Sequence, residues 1–122
     1  MDERKTAKDV MTREVVTIGP EEKMSTVLSM MRKHRYSQIP VVRNGEQVGS
    51  ICEKLVYNYL FRGFEDTREL MGEKVGDMMS SVLRSVREDE SIERVKEILE
   101  EVESVVVIRN GEIVGIITRD DV

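Results

Sequence analysis

The run VVRNGEQVGSI, Val41–Ile51, returns near the end of the chain as VIRNGEIVGII, Val107–Ile117. A recurrence of this length calls for two copies of one structural unit. In 122 residues there is room for one ordinary domain, so the two copies are expected to share a single core. Within each run Asn-Gly stands between two β-branched stretches. This is the strongest short signal for a type I′ hairpin, because both central residues need positive φ. Ile39–Arg43 is therefore predicted to pair with Gln47–Ile51, and Val105–Arg109 with Ile113–Ile117.

The repetition reaches further along the chain. Asp9-Val-Met-Thr12 returns as Asp77-Met-Met-Ser80, an offset of 68, whereas Asn44-Gly45 returns as Asn110-Gly111, an offset of 66. Two residues are lost in between, where KHRYSQIP faces the shorter EVESVVV. Short β-rich runs at Val15–Ile18 and Leu83–Val86 are predicted as strands, and a helix follows each. Met24, Val27, Leu28 and Met31 fall at i, i+3, i+4 and i+7, and Ile92, Val95, Leu99 and Val102 do nearly the same. Pro20, Glu21 and Glu22 suit the first turn of one helix, and Glu88, Asp89 and Glu90 that of the other, since acidic charge favours the positive end of the dipole. A further helix is predicted from Glu53 to Phe61. Its counterpart would start near Arg119, and the sequence stops after Val122, so that helix is expected to be missing or barely begun.

Each unit thus reads strand, helix, strand, strand, helix, over residues 7–61 and 75–122, with residues 62–74 as connector. The fold class is α+β, two βαββα units packed face to face about a pseudo-twofold axis. A three-stranded sheet with two amphipathic helices leaves an apolar face that only the second unit would cover. The cleft such symmetry leaves, flanked by strand ends and helix starts, is a candidate small-molecule site.

Charge and cysteine content narrow the function classes. The net charge is -5, with Lys and Arg interleaved among Glu and Asp, so no broad basic patch for nucleic acid is expected. One cysteine, Cys52, and one histidine, His34, give neither an internal disulfide nor metal-ligand spacing. No run of 18 apolar residues and no signal peptide is visible, and a cytoplasmic, membrane-free protein is expected. High charge with two Gln and three Asn leans toward heat-adapted proteins. His34 is expected to serve the dipole at a basic helix end, Cys52 to be a small buried hydrophobe, and Met24, Met30, Met31, Met78 and Met79 to fill the core. None of them forms a nucleophile-base or metal constellation, so an enzyme acting by itself is not expected.

The order DVMT, VVTIGPEE, SQIPVVRNGEQVGSI, then VGDMM, SVREDESI and VVVIRNGEIVGIITRDD resembles a tandem pair of cystathionine-β-synthase (CBS) domains, a Bateman module, over about Ala7–Val122. SQIPVV and GSICE are further similar to CBS pairs of archaeal proteins. The resemblance implies a non-catalytic regulatory module with no obligatory cofactor, which binds AMP, ADP, ATP or S-adenosylmethionine between its repeats and forms homodimers. The local motif is Gly115-Ile-Ile-Thr118-Arg-Asp-Asp121. In it a strand ends and a helix start presents free N–H groups, Thr118 is a donor for ribose or phosphate, and Asp121 is an acceptor matched to a ribose diol. Thr-x-x-Asp is equally the spacing of a capping box, in which the acid serves the backbone instead. By the resemblance, adenine would lie against Val10, Met11, Val16, Ile39 and Pro40, all of which are also ordinary core candidates. The first repeat departs from the motif, with Cys52 in place of the threonine and Leu55 in place of the aspartate, so one competent site is expected.

Phosphate recognition is less well served. Glu100–Ser104 precedes the strand where a basic residue would help, the basic run Arg32–Arg35 belongs to the other repeat, and Arg119 remains as the cation in reach. The acidic setting gives weight to cationic S-adenosylmethionine, and the ligand stays open. Two other readings are a ligand-free dimerisation module and the sensory part of a transcription regulator.

Overall fold

The computed structural model describes residues 5–34, 36–63 and 67–122. Arg35, the last of the basic run, and residues 64–66 of the predicted connector lie outside the described residues. Along the chain run α1 (Ala7–Val10), α2 (Met24–His34), β1 (Gln38–Arg43), β2 (Glu46–Cys52), α3 (Glu53–Asn58), a π-helical turn (Tyr59–Gly63), α4 (Thr67–Met71) and α5 (Val75–Met78). They are followed by β3 (Ser85–Arg87), α6 (Ile92–Ile98), β4 (Ser104–Arg109), β5 (Glu112–Thr118) and a 3-10 turn (Arg119–Asp121).

Both Asn-Gly turns close as the hairpin reading requires. Asn44 and Gly45 take φ of 52° and 82°, and Asn110 and Gly111 take 52° and 83°. β1 pairs antiparallel with β2, Ile39 opposite Ile51, and β4 with β5, Val105 opposite Ile117. Each pairing carries an irregularity at the same place, Val41/Val42 and Val107/Ile108.

The first strands are shorter than predicted. Of Val15–Ile18, only Ile18 joins the sheet, as a parallel bridge to Val41. Gly19-Pro20 follows at once, and proline has no N–H with which to continue a ladder. In place of Leu83–Val86, Ser85–Arg87 pairs in parallel with β4.

The compact units do not follow the sequence repeats. One is Val16–Val82, here the β1–β2 unit; the other joins Met1–Val15 to Leu83–Val122, here the β3–β5 unit. In the β1–β2 unit, Ser80 exchanges backbone bonds with Ser50 of β2 (2.8 and 3.1 Å), and the Ser50 hydroxyl donates to the Ser81 carbonyl at 2.6 Å. In the β3–β5 unit, Thr12 exchanges backbone bonds with Ile116 of β5 (2.9 and 3.0 Å). The DVMT segment therefore completes the sheet of the second hairpin, and DMMS completes that of the first.

Two apolar clusters result, one in each unit. One gathers Ile18, Met24, Val27, Ile39, Val41, Ile51, Val56, Leu70, Val75 and Met78; the other gathers Ala7, Met11, Val86, Val95, Ile98, Leu99, Val105, Val107 and Ile117. Each cluster takes two residues from a leading segment, Val75 and Met78 in one case, Ala7 and Met11 in the other.

The leading segments also explain why the helices start later than predicted. Pro20–Glu22 is held against α5: Val75 donates its amide to the Glu22 carbonyl, Gly76 to that of Pro20, and Met24 to that of Glu73, each at 2.8 Å. Glu88–Glu90 is held against α1 in the same way, with the amides of Ala7 and Lys8 donating to the carbonyls of Glu90 and Glu88. Backbone committed to another segment cannot wind into a first turn, so α2 begins at Met24 and α6 at Ile92, whose N-cap Ser91 accepts from the Arg94 amide. The predicted helix from Glu53 to Phe61 is α3 to Asn58 and then the π-helical turn. α6 stops at Ile98, and Val102 packs on the cluster from beyond it.

Candidate functional site

β5 is held by β4 along its length and delivers Thr118 at its end, extended, with φ -115° and ψ 173°. The chain then turns through Arg119–Asp121, and Asp121 comes back on Thr118. The Thr118 amide donates to Asp121 Oδ2 at 2.8 Å and the Thr118 hydroxyl to the same atom at 3.3 Å. The capping-box reading of this spacing is therefore realised. It does not exhaust the carboxylate, since both bonds fall on Oδ2. Asp121 and Thr118 are half-buried, a setting in which a fixed carboxylate oxygen is an acceptor of defined direction.

A twin of this turn lies in the same unit and was not singled out from the sequence, although the Thr-x-x-Asp spacing of Thr6–Asp9 is visible there. The Thr6 amide donates to Asp9 Oδ2 at 2.9 Å and the Thr6 hydroxyl at 3.2 Å. Those bonds, the amide's first, hold the Asp9 carboxyl below its ordinary range.

Arg119, read as a phosphate contact, has a protein partner for its Nε. Its Nε donates to the Leu99 carbonyl at 2.7 Å. Leu99 is the C-cap of α6, where helix carbonyls lack intrahelical donors and the dipole is negative.

Of the apolar residues assigned to the adenine, Val10 and Met11 belong to the same unit as Thr118, while Val16, Ile39 and Pro40 belong to the other. Met11 packs directly over Gly115. A Cβ built there would meet the Met11 thioether Sδ, and also its Cγ at 2.7 Å and Cβ at 2.9 Å. Ile39 is fully buried within the β1–β2 cluster, and Pro40 is buried beside it on β1. The motif's glycine is thus explained by the leading segment: Gly115 makes room for Met11, and Gly49 for Met79.

In the first repeat the corresponding turn is a plain helix cap. Cys52 Sγ accepts from the Leu55 amide at 3.4 Å, and Leu55 packs on the apolar cluster. Surface cavities of about 500, 480 and 310 Å³ open elsewhere, and none is lined by a predicted site residue. The first holds a bidentate pair, Arg109 Nε and Nη2 donating to Glu88 Oε1 and Oε2 at 2.7 and 2.6 Å. That pairing holds Glu88 below the ordinary carboxylate range and raises Arg109. Among the described residues no helix is long and apolar enough to cross a membrane.

Comparison with known proteins adds the following. The CBS domain family matches residues 7–61 and 75–122. A zinc metalloprotease of Methanocaldococcus jannaschii is 31% identical over 116 residues, 95% of this chain and 30% of that protein. The chain spans less than half the length of the curated relatives it matches. The CBS domain of a bacterial CNNM/CorC family Mg2+ transporter, solved in complex with ATP, superposes with a TM-score of 0.79 at 25% identity, covering 96% of this chain and 83% of that one. CBSX2, solved in complex with AMP, superposes with a TM-score of 0.81 at 21% identity, covering 96% of this chain and 92% of that one.

Proposed function

The chain belongs to the CBS domain family, and on that footing we propose that it is a regulatory module that binds an adenosine-type ligand at the Thr118–Asp121 turn. The observation that carries this reading is the disposition of Asp121: its carboxylate is fixed by Thr118 through Oδ2, which leaves Oδ1 to accept from the vicinal hydroxyls of a ribose. Capping and ribose recognition are then compatible on one side chain, the cap serving to preorganise the acceptor. The related CBS domain solved with ATP supports the adenosine class. Acidic neighbours, Asp120 and Glu100–Glu101, weigh toward S-adenosylmethionine over a polyphosphate.

Isothermal titration with AMP, ATP and S-adenosylmethionine tests this, and the twin turn supplies the control. Asp121→Ala is expected to weaken the bound ligand about a hundredfold, the scale of lost charge-assisted hydrogen bonds. Asp9→Ala removes the same kind of cap and is expected to leave binding unchanged. Equal effects of the two variants, or no binding by the ligand-free folded protein, would make Asp121 a cap and nothing more.

The second partner in this reading is another copy of the chain. The cavity of about 310 Å³ is floored by Leu28, Met31 and Val56, with Arg32 and Glu53 along it. Tyr57 and Phe61 beside it are 50% and 81% exposed, with ring centroids 6.4 Å apart. Arg32 and Glu53 form no ion pair among the described residues, and a twofold contact would set each against the other's counterpart. Sedimentation velocity is expected to find a dimer, converted to monomer by Tyr57→Glu with Phe61→Glu; a wild-type monomer at every concentration tested would end this part of the reading.

A further inference from the structure

The Thr118–Asp121 turn is tied to the rest of its unit by the Arg119 side chain. Arg119 is the first residue after Thr118, and its Nε donates to the Leu99 carbonyl at 2.7 Å. Leu99 is a rigid anchor: it caps α6 and is itself buried in the cluster with Val105 and Ile117. The bond is charge-assisted, and it meets a helix carbonyl that no backbone amide of α6 serves. From the same three-residue turn, Asp121 reaches back to the Thr118 amide. The turn is thus pinned on one side to the end of α6 and on the other to the end of β5.

We infer that Arg119 is a positioning residue, which sets the direction of the Asp121 carboxylate through its bond to Leu99 and does not itself contact a phosphate. This rests on the ribose reading of Asp121 and deepens it. A guanidinium fixed through Nε orients the backbone that carries Asp121, and a small misplacement of an acceptor weakens recognition of a diol that needs two hydroxyls met at once. The consequence is a division of labour that the residue types alone do not show. The only cation in the motif would serve selectivity for ribose and leave affinity for phosphate untouched.

The test compares adenosine, 2′-deoxyadenosine and AMP on wild type, Arg119→Ala and Arg119→Lys, with thermal melting and NMR amide exchange at Thr118 on the same samples. Arg119→Ala is expected to weaken adenosine about tenfold, to abolish the preference for adenosine over 2′-deoxyadenosine, and to keep the ratio of AMP to adenosine affinity. Thr118 amide exchange is expected to accelerate, and Arg119→Lys, which keeps a donor in reach of the carbonyl, to restore most of the loss. A selective loss of AMP affinity would make Arg119 a phosphate ligand and overturn the inference. A uniform loss that follows thermal stability, with the ribose preference intact, would overturn it as well. If wild type binds none of the three, the ligand reading fails on its own, and Thr118 exchange still decides the positioning role: unchanged exchange in Arg119→Ala overturns it.

Discussion

Deleting residues 1–15 is expected to unfold the β3–β5 unit, although every residue removed precedes the first hairpin and lies far in sequence from the second. The deletion takes Ala7 and Met11 out of that unit's apolar cluster. It also removes the bonds from Ala7 and Lys8 to the Glu90 and Glu88 carbonyls, the bond from the Ile92 amide to Lys5, and the Thr12 pairing that covers the outer edge of β5. Loss of a buried methionine costs about 2–5 kcal/mol and each backbone bond about 1 kcal/mol. Together these reach on the order of 8 kcal/mol, comparable with the whole stability of a small domain. Hydrogen exchange should then find β4 and β5 unprotected while β1 and β2 keep their protection. A truncated chain that melts within about 2 °C of the full one, with β5 still protected, would show that the leading segment is an accessory. The same logic applies to a cut between the repeats. Fragments 1–61 and 75–122 would each lack a piece of their unit, and mixing them is expected to recover structure that neither has alone.

This exchange of segments marks the limit of what the sequence discloses. The hairpins were legible to within one residue at their strand ends because Asn-Gly imposes a local backbone requirement, positive φ at two positions, and nothing distant competes with it. The helices were legible in type and face because Met24 and Val27 in α2, and Ile92 and Val95 in α6, fall at helical spacing. Their starts were not. Glu21, Glu22 and Glu88–Glu90 have the charge of a first turn, but their backbone is engaged by α5 and α1, and no property of these residues announces that. Likewise Asp9-Val-Met-Thr12 and Asp77-Met-Met-Ser80 are visible as repeats, yet periodicity does not say which sheet a segment will complete. At the site, Thr118-x-x-Asp121 was legible both as a motif and as a cap; the structure forms the cap, which occupies one carboxylate oxygen. Arg119 was legible only as a cation. Its partner, the Leu99 carbonyl, is a main-chain atom twenty residues away, brought near by the apolar cluster that Leu99 shares with Ile117, and carbonyls leave no trace in residue identity.

Gly49→Ala is expected to destabilise the β1–β2 unit by about 3 kcal/mol, at the upper end of overpacking costs, and to lower its melting temperature by about 15 °C. The reason is which atoms stand in the way. A Cβ at Gly49 would meet not only the Met79 side chain but also the Ser80 carbonyl oxygen at 2.8 Å. That carbonyl cannot retreat cheaply, because it accepts from the Ser50 amide, Ser80 donates back to Ser50, and the Ser50 hydroxyl holds the next carbonyl. At Gly115 the three nearest atoms all belong to Met11, and the closest two, Sδ and Cγ, can swing aside by a change of rotamer, which leaves Cβ at 2.9 Å to be relieved by a small shift. Gly115→Ala is therefore expected to cost less, about 1–2 kcal/mol, and its cost should be smaller still when measured on a Met11→Ala background, where the shortened side chain no longer meets the new Cβ, so that the pair is less than additive. Gly72→Ala is the control, since its Cβ would meet the Glu69 and Arg68 carbonyls at ordinary contact distances of 3.7 and 3.8 Å; it is expected to stay within about 0.5 kcal/mol of wild type. Urea denaturation of the four variants checks the order. If Gly49→Ala proves as mild as Gly72→Ala, the segment carrying Ser80 is not seated on β2 as described, and the exchange of leading segments between the repeats loses its strongest support.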